Sequence, residues 1–96
     1  MSGPYGLGDP NAMRAEAKRL RSRAARLGGL ASEVDARVRG TEFEGPAANA
    51  FRGAMGQKRQ RVDRVATDLN RLAGRLDATA ARVDAEIRRR RALEGR

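Results

Sequence analysis

The sequence has no cysteine, no histidine and no tryptophan among its 96 residues. Without cysteine there are no disulfides and no thiolate chemistry. Without histidine there is no imidazole to relay a proton, and the two absences together remove zinc sites and every histidine-based triad. Aromatic residues are limited to Tyr5, Phe43 and Phe51, too little bulk for a broad globular core. Proline occurs only at Pro4, Pro10 and Pro46, so long stretches run without a helix breaker. No apolar run approaches the ~20 residues of a membrane span. The first eight residues carry neither a basic segment nor an apolar one, so they are not expected to act as a signal peptide. What remains for chemistry is carboxylates, interleaved with arginines on a chain too thin to build a cleft. No enzyme activity, cofactor or metal is expected.

What is present points to helices. The apolar residues are mostly Ala, Val and Leu, and Ala and Leu are strong helix formers. Ninety-six residues make one domain at most, and a chain this short hides only a modest share of its surface, so stability gained by oligomerisation is expected. The net charge is +9, carried almost wholly by arginine, with Lys18 and Lys58 the only lysines. Such an excess is compatible with a solvated helix surface, or with a nucleic acid, an anionic membrane or an acidic protein partner.

Residues 1–8 are small, polar and rich in glycine, and read as a disordered tail. Asp9-Pro10 is a helix start: Asp can accept orphan amide hydrogens at the N-cap, and Pro suits the first helical position. From there a seam runs Met13, Ala17, Leu20, Ala24, Leu27, Ala31, Val34 and Val38, in alternating steps of four and three. Gly28-Gly29 weakens the helix locally, but the seam continues through it, and Gly40 is a natural stop. This gives helix one over 9–39, a turn over 40–46 and helix two over 46–90, with a basic tail at 91–96. The second seam runs Ala48, Phe51, Met55, Lys58, Val62, Val65, Leu69, Leu72, Leu76, Thr79 or Ala80, Val83 and Ile87. Lys58 is its one polar member, with a stem that can lie along the seam while the ammonium stays in water. The expected fold is all-α: an antiparallel two-helix hairpin about 45 to 65 Å long. Leu30, off the first seam, and Ala66, Ala73 and Ala80, beside the second, leave apolar surface over. Dimerisation into a four-helix bundle would cover it. Glu33–Arg37, Asp35–Arg39, Asp84–Arg88 and Glu86–Arg90 are spaced as acid-first i,i+4 pairs, each worth ~0.2 to 0.5 kcal/mol.

The turn and the start of helix two read Phe43-Glu44-Gly45-Pro46-Ala47-Ala48-Asn49-Ala50-Phe51. An aromatic at the turn can fold over the open end of the seam. Gly45 allows a backbone geometry closed to residues with a Cβ, directly before Pro46 fixes the first helical turn. Here the chain resembles the Trp-X-Gly, ESAT-like proteins of type VII secretion, in length, architecture and turn position, with Phe43-Glu44-Gly45 in place of Trp-X-Gly. Phe keeps the planar apolar ring and loses the indole N–H donor. The family's tail signal, Tyr-x-x-x-Asp/Glu after helix two, is absent, because the only tyrosine is Tyr5. In its place stands Arg88-Arg89-Arg90-Arg91.

The resemblance implies a secreted substrate, or a partner or adaptor hairpin, that acts by helix–helix pairing and leaves the cell without a cleaved signal peptide. Implied partners are a second copy, a related and more acidic hairpin or effector domain, and the secretion ATPase. Phe43, Gly45, Pro46 and Phe51 would form the recognition element of the turn. Two other classes remain open: a basic helical nucleic-acid-binding protein, and a coiled-coil scaffold unrelated to secretion. The first is disfavoured, since no aromatic platform or known DNA- or RNA-binding motif accompanies the arginines.

Overall fold

The computed structural model describes residues 4–40 and 45–95. Within them are two long helices, α1 over Pro10–Arg39 and α2 over Pro46–Glu94, preceded by a 3-10 turn at Pro4–Gly6. The two helices pack against each other as an all-helical hairpin, and the described residues contain no strand. The expectations for Thr41, Glu42, Phe43 and Glu44 lie outside the described residues.

The helix ends follow local chemistry. The Asp9 carboxylate accepts hydrogen bonds from the amides of Asn11 at 3.0 Å and Ala12 at 3.3 Å, and its carbonyl accepts from Met13 at 3.0 Å. Two orphan donors are thereby satisfied, and Pro10, which has none to offer, sits first in the helix. α1 runs unbroken through Gly28-Gly29 and stops at Arg39. At the start of α2, Gly45 has φ +106°, a backbone region that side chains with a Cβ rarely adopt, and its carbonyl accepts from the Asn49 amide at 3.0 Å. Pro46 follows as the first helical residue. α2 extends four residues beyond the expected limit at 90, taking in Arg91 to Glu94. No breaker stands before Gly95, and Ala92 and Leu93 favour continuation.

The chain forms two compact units, one from Met1–Arg21 with Asn70–Arg96, the other from Ser22–Leu69. In the first, which holds both termini, the buried residues among those described are Pro10, Ala17, Leu20, Ala73, Ala80 and Ile87. Leu20 at 6% and Ile87 at 7% exposure are the large buried side chains among its described residues. Ion pairs cross between the helices here: Arg14 to Asp84, and Arg21 to Asp77 at 2.6 Å. Seven residues forward in α1 correspond to seven back in α2, which fixes an antiparallel register and brackets Ala17 and Ala80 between the two pairs. Asp84 is therefore engaged by Arg14 rather than by Arg88, its expected partner four residues on. The pairs Asp35–Arg39 at 3.1 Å and Glu86–Arg90 at 2.9 Å form as spaced.

The second unit, which holds the turn, has a thinner interior, with Ala24 and Ala48 buried. Met55, Arg59, Val62, Ala66 and Leu69 are half-buried along its α2 face. That face differs from the expected seam by one residue: Arg59 takes the place of Lys58, Ala66 that of Val65. In the first unit, likewise, Ala73 is buried and Leu72 is not. Val65 and Leu72 stand 48% and 46% exposed, and Val34 in α1 43%. The physical reason is shared. Where a large and a small apolar residue are adjacent, a four-three pattern can be read in either phase. The hairpin takes the alanine phase, because small side chains let two helices approach closely and gain contact along their length. The larger neighbours are turned outward.

Candidate assembly surface

Between α1 and α2 in the turn-containing unit lies an open groove of about 210 Å³. Its apolar lining comes from Leu27, Leu30, Ala31 and Val34 of α1 and from Met55 and Val62 of α2, with Asp35, Lys58 and Arg59 as polar members. The spacing explains the lining. Leu27, Ala31 and Val34 follow the first seam, Leu30 adds a parallel rung at i, i+4 with Val34, and Met55 and Val62 are one heptad apart. Leu30 is 54% exposed, the most open of these. Contiguous large apolar side chains at that exposure are surface a helical partner can cover. A second, polar hollow shares Asp35 and Arg59 with the groove and also contains Ser32, Ala36, Arg39 and Gly56.

Arg59 ties the groove together. Its Nε donates to the Asp63 carboxylate at 3.2 Å, one turn on in α2, and its Nη2 donates to Ser32 Oγ of α1 at 3.3 Å. Lys58 is exposed and, among the described residues, makes no ion pair. From Pro46 to Val62, α2 carries four cations and no carboxylate, and two of them, Lys58 and Arg59, line the groove across from Asp35 of α1. Backbone on the same unit is open as well. Nothing lies within 4 Å of where a Cβ would stand on Gly28, Gly29, Gly53 or Gly56.

The C-terminal end of α2 forms a different cluster. The Glu86 carboxylate accepts from Arg89 at 2.6 and 3.0 Å and from Arg90 at 2.9 Å. These hydrogen bonds hold its pKa down to about 2 from the ordinary 4.5. Tyr5 lies at this end, with the Arg90 guanidinium 5.3 Å above its ring and its hydroxyl hydrogen-bonded to Glu94, which raises the tyrosine pKa. Tyr5 itself has a positive φ of 61°. The four-arginine block is thus half engaged locally, through Arg89 and Arg90.

Of the residues expected to matter at the turn, Phe43 lies outside the described residues, Gly45 and Pro46 stand at the start of α2, and Phe51 is exposed. Of the expected seam residues, Leu20 and Ile87 are buried. Met13, Leu27, Val38, Met55, Val62, Leu69, Leu76 and Val83 are half-buried, and Val34, Val65 and Leu72 are exposed. Leu27, Val34, Met55 and Val62 come together at the groove. Sequence reasoning missed Arg59, although its spacing to Asp63 was a usable signal, and it read Tyr5 as part of a disordered tail, whereas Tyr5 lies in a 3-10 turn under Arg90.

The described residues hold no group of three or more carboxylates that could bind a metal ion, and no helix among them is long and apolar enough to cross a membrane. What the arrangement can do is present an apolar, cation-flanked helical face. Neither curated proteins nor solved structures gave a match to this chain. A family model does match, over residues 8–86, which takes in α1, the turn motif, the groove and α2 as far as Glu86, and by it the chain belongs to the WXG100 family, described as proteins of 100 residues with WXG.

Proposed function

We propose that this chain is a hairpin subunit of a type VII secretion system, exported or serving as partner and adaptor, that acts by pairing with a second helical hairpin into a four-helix bundle. The observation that carries this reading is the family match over 8–86, together with the apolar residues the hairpin leaves outside its own seam. Family membership suggests a small secreted ESAT-like protein, and the family's proteins are small helical proteins not known as enzymes. Catalysis has no part in the reading.

A two-helix hairpin with so thin an interior gains stability from a partner that covers Leu30, Val34, Val65 and Leu72. A related, more acidic hairpin or effector domain is favoured over a second copy. Two chains of +9 repel across distances comparable to the ~8 Å screening length at physiological salt. Export then has a division of labour. This chain supplies the turn element, Phe43 and Gly45, and the partner supplies the tyrosine-containing tail. A partner docked antiparallel brings its own tail toward this turn, so recognition by the secretion ATPase needs the assembled pair.

The experiment expresses the chain with and without its partner in a secretion-competent host and assays the medium, with an ATPase-inactive strain as control. Export that needs both partner and ATPase is expected. Efficient ATPase-dependent export of the lone chain, unaffected by Phe43→Ala, contradicts the division of labour. Export independent of the ATPase contradicts the secretion role.

A further inference from the structure

The groove in the turn-containing unit has a size, a lining and a charge flank that together describe one kind of occupant. Its volume of about 210 Å³ is enough for one large apolar side chain, given that a cavity of about 150 Å³ accommodates benzene. Leu27 and Met55 lie deeper, and Leu30 and Val34 stand at the rim with about half of their surface in water.

Charge decides which helix. Of the two cations in the lining, Arg59 is held by Asp63 and Ser32, while Lys58 makes no ion pair among the described residues. The carboxylate in the lining, Asp35, is paired with Arg39 at 3.1 Å. A basic helix entering here would be repelled by Lys58, whereas an acidic one is attracted and can give Lys58 its counter-ion.

We propose that this groove is the docking site for an acidic amphipathic helix of a partner protein, which inserts one large apolar side chain between Leu30, Val34, Met55 and Val62 and pairs a carboxylate, one helical turn away, with Lys58. The proposal rests on the reading of the chain as an assembling hairpin and adds to it the site and the chemistry of the partner. Lys58 is the residue that sets the preference for acid, and Leu30 and Val34 supply the contact.

The test uses the full chain and two synthetic helical peptides of about four heptads, with Leu at the a and d positions and either Glu or Lys at e and g. Binding is followed by fluorescence anisotropy. The Glu peptide binds, and the Lys peptide binds at least about ten-fold more weakly. Val34→Asp and Leu30→Asp, at positions open enough to leave the fold intact by circular dichroism, weaken the Glu peptide by a similar factor. Lys58→Glu removes the preference for the Glu peptide. Equal affinity for the two peptides, or no binding of either, overturns the proposal. So does binding of the Glu peptide that survives Val34→Asp and Lys58→Glu but is lost with Leu72→Asp, an outcome that moves docking elsewhere and leaves hairpin assembly standing. Self-association abolished by Val34→Asp, with no uptake of the Glu peptide, assigns the groove to a second copy and overturns the acidic occupant.

Discussion

Among the described residues, Leu20 and Ile87 are the large apolar side chains most fully buried, since the other buried positions are alanines and Pro10. Leu20→Ala and Ile87→Ala are each expected to cost about 2 to 5 kcal/mol in chemical denaturation, since both leave a cavity in a narrow seam. Leu72→Ala and Val65→Ala, at exposed positions, are expected to cost less than about 1 kcal/mol in the free chain and more in the assembled pair. A large cost for Leu72→Ala in the free chain would place Leu72, not Ala73, in the seam. Glu86 gives a second residue-level test. Its pKa in the folded chain, about 2, lies below the ordinary 4.5, so its pairing with Arg89 and Arg90 stabilises the helix end above about pH 4.5 and is lost as pH falls through the folded value. An NMR titration of the Glu86 carboxyl carbon should show a midpoint near 2, moving up toward 4.5 in Arg89→Ala; a midpoint already at 4.5 in the native chain would mean the pair is not formed.

At the scale of the helices, glycine is the informative residue. Gly29, Gly53 and Gly56 lie inside helices and have no neighbour that a methyl group would meet. Each Gly→Ala change is expected to stabilise the free chain by about 0.5 to 1 kcal/mol, read as a rise in thermal midpoint. Gly45→Ala is expected to destabilise it, because φ +106° suits no residue with a Cβ. Most of the two elements was legible in the sequence, because their limits are written in local chemistry: Asp9-Pro10, Gly40, and Gly45-Pro46. The phase of the second seam was not. At Val65-Ala66 and Leu72-Ala73, apolar periodicity permits two faces, and hydrophobicity alone ranks the larger residue inward. Closeness of approach between two helices, which favours the alanine, is a property of the pair and not of either helix. The groove was legible in part, through Leu27, Val34, Met55 and Val62. Arg59 was not, since its place depends on that same phase. The extension of α2 to Glu94 was missed because the helix was ended inside the arginine block, with Arg91 to Arg96 read as a tail.

For the whole molecule, the excess of charge and the excess of apolar surface act together. The alanine seam leaves Leu30, Val34, Val65 and Leu72 for something else to cover, while +9 discourages a second copy from doing so at low salt. The central claim is that this hairpin functions as one part of a helical assembly, and sedimentation equilibrium tests it most directly. The chain is run alone at increasing salt, and then mixed with its acidic hairpin partner at physiological salt. Alone, it is expected to stay near its monomer mass of 10.4 kDa at low salt and to self-associate only as salt screens the repulsion. In the mixture, a stable one-to-one complex at low micromolar concentration is the predicted result. A monodisperse 10.4 kDa species at every salt, persisting unchanged in the mixture, would contradict it.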